Sequence, residues 1–200
     1  MPHRALTSVP VHPLLAERWS PRSFDPAHTL GGGQLASLLE AARWAASAFN
    51  VQPWRFLVGR RGDATFKAVH GALVGFNQRW AGDASVLIVA VAAESGADGA
   101  PVPTAAYDTG LAAAQLTTQA HAEGLHAHQM SGFDAGRLAT AFGIPDGFRP
   151  LAVIAVGAVA DPERLDDSLR ARETAPRHRR PLEESFFSGA WGEPVDLRPA

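Results

Sequence analysis

The chain contains no cysteine. That absence excludes disulfides, thiolate metal sites, iron–sulfur clusters and cysteine nucleophiles together. An excess of charge is missing too, since 18 Lys and Arg stand against 20 Asp and Glu. The near balance argues against nucleic acid, a membrane surface or a polyanionic substrate as partner, because the first two call for a basic surplus. No stretch approaches the ~20 apolar residues of a membrane span. The opening MPHRALTSVPVHPLL also lacks the apolar run of a signal peptide, so a soluble, cytoplasmic protein is expected. The chain has no GxSxG elbow, no P-loop lysine and no HExxH, which leaves acyl transfer and nucleotide hydrolysis without support.

What is present is enough apolar material for a core: 46% of 200 residues are hydrophobic, and that length favours one domain spanning residues 1–200. Periodicity predicts a short helix at 13–18, an amphipathic helix at 34–48 and a strand at 55–60. Asp63 reads as the N-cap of a helix to about residue 74, and SVLIVAVAA at 85–93 as a strand buried on both faces. After a Gly/Pro/Ala loop at 94–103, a long Ala-rich helix runs from Thr104 to Glu123, with Gly124 just past its end. A short strand at 125–130, a helix capped by Asp134 and ending at Gly143, and a buried strand at 151–159 follow. From about 161 the chain is rich in charge and proline, with only a turn expected near Leu165. It reads as an arm that must pack on something else. Strands alternating with helices indicate an α/β or α+β sandwich.

Gly31-Gly32-Gly33-Gln34-Leu35-Ala36 fits GxGxxA, but FDPAHTL before it is no buried strand, so the match is accidental. His121, His126 and His128 lack the carboxylate partners of a metal site, and no metal is expected. Arg18, Ser20 and Arg22 follow the first helix at a spacing that suits either two solvated arginines or a grip on an anion. Ser47, Asn50 and Gln52 suit either helix-end capping or the edge of a planar heterocycle. Arg177-His178-Arg179-Arg180, taken alone, reads as a solvated charge run.

Taken together these residues resemble the nitroreductase family, and the resemblance covers nearly the whole chain. Arg18-Trp19-Ser20-Pro21-Arg22-Ser23-Phe24 looks like its RxSxRxF motif. Leu38-Leu39-Glu40-Ala41-Ala42-Arg43-Trp44-Ala45, with Ser47, Asn50 and Gln52-Pro53-Trp54-Arg55-Phe56, looks like its long LLEAARWAPSxxNxQPWRF signature. Asn77, Tyr107-Asp108-Thr109-Gly110, Ser131-Gly132-Phe133-Asp134, Phe142-Gly143-Ile144-Pro145 and the Arg/Pro tail then arrive in the family's order.

The resemblance implies an α+β fold with a central mixed sheet flanked by helices and a C-terminal arm over about 161–200. It also implies a homodimer with shared sites. The cofactor it implies is FMN, passing hydride from NADH or NADPH through flavin N5 to a nitroaromatic, quinone or similar small acceptor. A flavin storage protein, or dehalogenation, ene reduction or flavin fragmentation on the same scaffold, are the alternatives. By position, Arg18, Trp19, Ser20 and Arg22 fall on the phosphate and ribityl side, with Arg177 and Arg179 closing on that phosphate from the tail. Asn77 falls at the pyrimidine edge, Ser131 and Gly132 near N5, and Ser47, Asn50 and Gln52 come from the other subunit. Three positions depart from the pattern: Ala46 replaces a proline, Ala48 a serine, and Trp80 a lysine that some members place near flavin N1 and O2.

Overall fold

An apolar run without one polar side chain, Val86–Ala93, is the centre of the molecule, and every residue in it is buried. The computed structural model describes residues 3–96 and 98–197. In chain order the elements are α1 (Pro13–Ala16), α2 (Gly32–Arg43), β1 (Trp54–Arg60), α3 (Ala64–Ala72), α4 (Gly75–Ala81), β2 (Val86–Ala93), α5 (Ala105–Ala122), β3 (His126–Met130), α6 (Ala135–Phe142), β4 (Phe148–Gly157) and α7 (Asp167–Thr174).

The strands form one sheet in the order β1-β2-β4-β3. Each neighbouring pair is antiparallel, so the mixed sheet expected from the family resemblance is not found among the described residues. The physical reason lies in the connections, which return each strand beside its neighbour in the opposite sense. The β2/β4 register slips after Ala90, where Val91 faces Pro150 instead of Leu151. Pro150 has no N–H for the ladder, and a bulge accommodates that loss.

Alternation along β2 splits the core in two. Val86, Ile88 and Ala90 face Leu35, Leu38 and Ala42 of α2 and Ala112, Leu116 and Ala120 of α5. Leu87, Val89 and Val91 face Phe66 and Val69 of α3, Trp80 of α4, Leu138 of α6 and Leu169 of α7. Each fully buried leucine or valine contributes roughly 1.5–3 kcal/mol, so the sheet is held from both sides.

Local signals explain most boundaries. Asp63 accepts from Phe66 N at 2.6 Å and Asp134 from Arg137 N at 2.9 Å, capping α3 and α6 as expected. Gly124, at φ 76°, ends α5 in the left-handed region. The expected helix over 34–48 is shorter: α2 stops at Arg43, and Ala48–Asn50 form a separate 3-10 turn. Two helices were not expected. One is α4. The other is α7, a charged helix capped by Asp166 that buries only Leu169 and Glu173. No described helix is long and apolar enough to cross a membrane.

Candidate functional site

Residues 18–25 leave α1 and run beside β3, the edge strand. His128 Nδ1 lies 2.8 Å from Pro21 O, the Trp19 ring stacks on His3 at 3.7 Å, and it meets His126 edge-on at 5.8 Å. Beyond, Asp25 N donates to Ala158 O at 2.9 Å and Ala160 N to Ser23 O at 3.0 Å, which fastens the segment past the end of β4. The tail then returns across it. Together they enclose a cleft of about 160 Å³ lined by Arg18, Trp19, Ser20, Arg22, Arg177 and Arg179, with Arg172 and Glu173 from α7.

Cations crowd this cleft. Burial lowers the pKa of Arg18, and the charges of Arg177 and Arg179 lower it further. Arg22 is likewise held down by burial, although Glu173 pulls the other way. Arg22 Nε is buried and has no hydrogen-bond partner among the described residues. Unpaired buried N–H groups and mutually repelling guanidinium groups both cost free energy that an anion would offset. Arg18 Nη1 meets Ser20 Oγ at 3.3 Å, and the exposed Arg179 donates to the carbonyl of His178 at 2.9 Å. Arg177 is differently engaged. It donates to Arg18 O at 2.7 Å, to Ala16 O at 3.2 Å and to His3 O, so its terminal nitrogens are spent on backbone.

The opposite end of β3 carries the second group. Asn77 Nδ2 and Val74 N each donate to Gly132 O at 3.0 Å. A Cβ at Gly132 would stand 2.8 Å from Asn77 Nδ2 and from Val74 Cγ2, so the close approach requires glycine. Ser131 and Gly132 directly follow β3, whose four residue steps span about 13 Å at the usual strand rise. A charged cleft and an amide-lined backbone corner therefore lie at the two ends of one strand edge.

Ser47, Asn50 and Gln52 lie elsewhere. They precede β1, the opposite edge of the sheet, about 14 Å away at the usual spacing of strands. Phe49, Asn50 and Gln52 all have φ between 50° and 57°. Three left-handed exceptions within four residues, all with a Cβ, store strain of the kind found at binding loops. Asp108, buried on α5, accepts from Ala48 N at 3.2 Å and Thr104 Oγ1 at 2.8 Å and so anchors this loop. Phe49, Val51 and Trp44 around it are exposed. Within one chain this loop does not reach the arginine cleft.

Trp80, at the position where some family members carry a lysine, is buried, 4.5 Å from the His128 ring and 6.2 Å from Phe24, as part of the core under α4. His121 and His126 lie 5.1 Å apart, but His128 packs on Trp80, and the described residues include no group of three or more metal-ligating side chains. The structure also brings Glu173, Arg172 and His3 to the arginine cleft, none of them marked in the sequence, and it gives Asp108 of the Tyr107-Asp108-Thr109-Gly110 motif its place under the 47–52 loop. An Asp–Arg-rich stretch without periodicity carries no local sign of what it folds against.

The Nitroreductase family model matches residues 15–73 and 60–158. An uncharacterized 15.4 kDa protein in ask 5′region of Mycolicibacterium smegmatis is 45% identical over 149 residues, 70% of this chain and 99% of its own length. The major NAD(P)H-flavin oxidoreductase of Aliivibrio fischeri is 36% identical over 70 residues, 34% of this chain and 32% of that one. A crystal structure described as an oxidoreductase containing FMN superposes with TM-score 0.88 at 37% identity, covering 94% of this chain and 96% of its own. With the family's pattern matched over most of its length and its fold reproduced, this chain belongs to the nitroreductase family.

Proposed function

We propose that this chain is an FMN-dependent NAD(P)H oxidoreductase that works as a homodimer. The observation that carries the reading is the arginine cleft, where Arg18, Arg22 and Arg179 converge with a buried, unpartnered Arg22 Nε. A phosphate monoester fits that donor set, because its dianion relieves repulsion among the guanidinium groups and accepts forked hydrogen bonds. The A. fischeri relative is a flavin oxidoreductase by name, and the crystal structure at 37% identity contains FMN; both support carrying the cofactor to this chain.

Bound flavin supplies a two-electron carrier between a nicotinamide and a small oxidised acceptor such as a nitroaromatic or quinone. The chain's own part is to bind and orient. Arg18, Ser20, Arg22 and Arg179 hold the phosphate. Trp19 packs behind that loop against His3 and His126, and Asn77 with the Ser131-Gly132 backbone serves the edge of the ring. Ser47, Asn50 and Gln52, stranded on the far sheet edge, serve the partner's flavin, and the exposed Trp44, Phe49 and Val51 around them are covered in the dimer. No side chain is needed as acid or base.

The test is the absorbance spectrum of the purified protein with and without added FMN, followed anaerobically after NADH or NADPH. Uptake of FMN over FAD and bleaching by a nicotinamide is the expected result. A protein with no affinity for FMN overturns the reading, and bound flavin that no nicotinamide bleaches reduces it to a flavin-binding protein.

A further inference from the structure

Among the described residues that line the arginine cleft there is one acid, Glu173, and its partners single it out. Glu173, 3% exposed, closes α7. Its Oε1 accepts from Arg22 N at 3.0 Å and Ser23 N at 3.2 Å, and its Oε2 accepts from Arg22 N at 2.9 Å. Oε2 also stands 3.8 Å from Arg22 Nη1. Four residues on, Arg177 takes the carbonyls of Ala16 and Arg18. A carboxylate and a guanidinium from one short stretch of tail thus bind the N–H groups and the carbonyls of the same loop.

A carboxylate here runs against simple electrostatics. It would repel a phosphate bound beside it, and burial pushes its pKa up, so keeping it ionised costs the fold free energy. Its bonding partners are all N–H donors, however, and the ionised carboxylate accepts from them more strongly than a protonated acid, whose O–H would need an acceptor of its own. What it secures is the backbone at residues 22–23 and the root of the Arg22 side chain. Arg22's own fold-stabilising contacts are otherwise few, since its Nε has no partner.

We propose that Glu173 is a positioning residue that sets the Arg22–Ser23 backbone, and through it the Arg22 guanidinium, in phosphate-binding form before the cofactor arrives. The inference rests on reading the cleft as the FMN phosphate site. Its electrostatic rival has the opposite sign: if Glu173 acts on the phosphate only through charge, removing it tightens FMN.

The experiment compares wild type, Glu173→Ala and Glu173→Gln as full-length proteins. Apo-protein is titrated with FMN and, separately, with riboflavin, which lacks the phosphate; amide hydrogen exchange at Arg22 and Ser23 is measured without ligand. Glu173→Ala is expected to weaken FMN about tenfold or more, leave riboflavin within about twofold, and speed exchange at both amides. Glu173→Gln keeps an oxygen able to accept both N–H groups. It should restore slow exchange and part of the FMN affinity, and it decides the matter should the alanine variant fail to fold. FMN binding unchanged or tighter in the folded variants overturns the proposal, as does unchanged exchange. Wild type that binds no FMN refutes the cofactor assignment instead, and the exchange measurement then still tells whether Glu173 holds this backbone.

Discussion

His128 Nδ1 lies 2.8 Å from the carbonyl oxygen of Pro21. Because a carbonyl only accepts, Nδ1 carries the proton and donates it, which ties the arginine-bearing loop to β3 through a neutral imidazole. Burial is the main reason the ring stays neutral, with Arg22 and Arg18 adding repulsion, and its pKa falls to about 4. His126, one turn of the pleat away, is also lowered to about 4, by burial first and then by His121, Arg18 and His3.

These depressed values set a pH dependence. In the unfolded chain both rings take a proton near their ordinary value of 6.5, whereas in the folded protein they resist it until about 4. Stability attributable to them is therefore fully present above 6.5 and is lost as pH falls toward 4. The slope is at most about 1.4 kcal/mol per pH unit for each histidine. Melting temperature measured between pH 7 and pH 4.5 should fall less steeply for His128→Asn, which keeps a donor for Pro21, and for His126→Phe. Parallel curves for wild type and both variants would contradict the assignment.

Arg22→Ala and Arg179→Ala should each weaken FMN by roughly ten- to a hundredfold, the value of a charge-assisted hydrogen bond of about 1.5–3 kcal/mol. Riboflavin affinity should scarcely change. If both arginines touch one phosphate, the double variant should lose less than the sum of the two. Fluorescence titration at fixed salt measures all three, and equal losses for riboflavin and FMN would remove the phosphate from the explanation.

Gly132→Ala places a methyl 2.8 Å from Asn77 Nδ2 and from Val74 Cγ2. Overpacking of this kind costs about 1–3 kcal/mol. It should also break the bond from Asn77 to Gly132 O, so flavin affinity falls for riboflavin and FMN alike. Thermal unfolding gives the first number and titration the second; a wild-type melting temperature with unchanged affinity would contradict the predicted clash.

Shared sites predict complementation. A protomer carrying Arg22→Ala, mixed with one carrying both Asn50→Ala and Gln52→Ala, forms heterodimers in which one site holds every defect and the other none. Such heterodimers should bind about one flavin tightly where each parent dimer binds both weakly. Two weak sites in the heterodimer would show that each chain builds its own.

Trp80 belongs to the core, so Trp80→Lys should bury an unpaired ammonium and cost about 3 kcal/mol or more, read as a drop in denaturation midpoint. Trp80→Phe removes an Nε1 that has no partner and should cost much less. A lysine variant as stable as wild type would mean that the side chain reaches the cleft after all.

The parts of this fold with local causes are legible in the sequence. The unbroken apolar run at 86–93 reads as a strand covered on both faces, Asp63 and Asp134 cap the helices that follow them, and Gly124 ends α5. The arginine pair at 18 and 22, Asn77 with Gly132, and the loop at 47–52 were each visible as family motifs, though spacing alone left solvated arginines and ordinary caps as equal readings. Tertiary structure decided which of these meet. Arg22 and Glu173 are 151 positions apart, and nothing in a charged stretch without periodicity says that its glutamate will be buried against a backbone turn. The same holds for α7, whose helix is fixed by Asp166 and one leucine, and for Trp80, whose burial depends on Phe24 and His128 arriving from distant parts of the chain. Local propensity and pattern act over a few residues. The pairing of a buried charge with its donors, and the separation of the loop at 47–52 from the arginine cleft on opposite edges of one sheet, exist only once the chain has closed on itself.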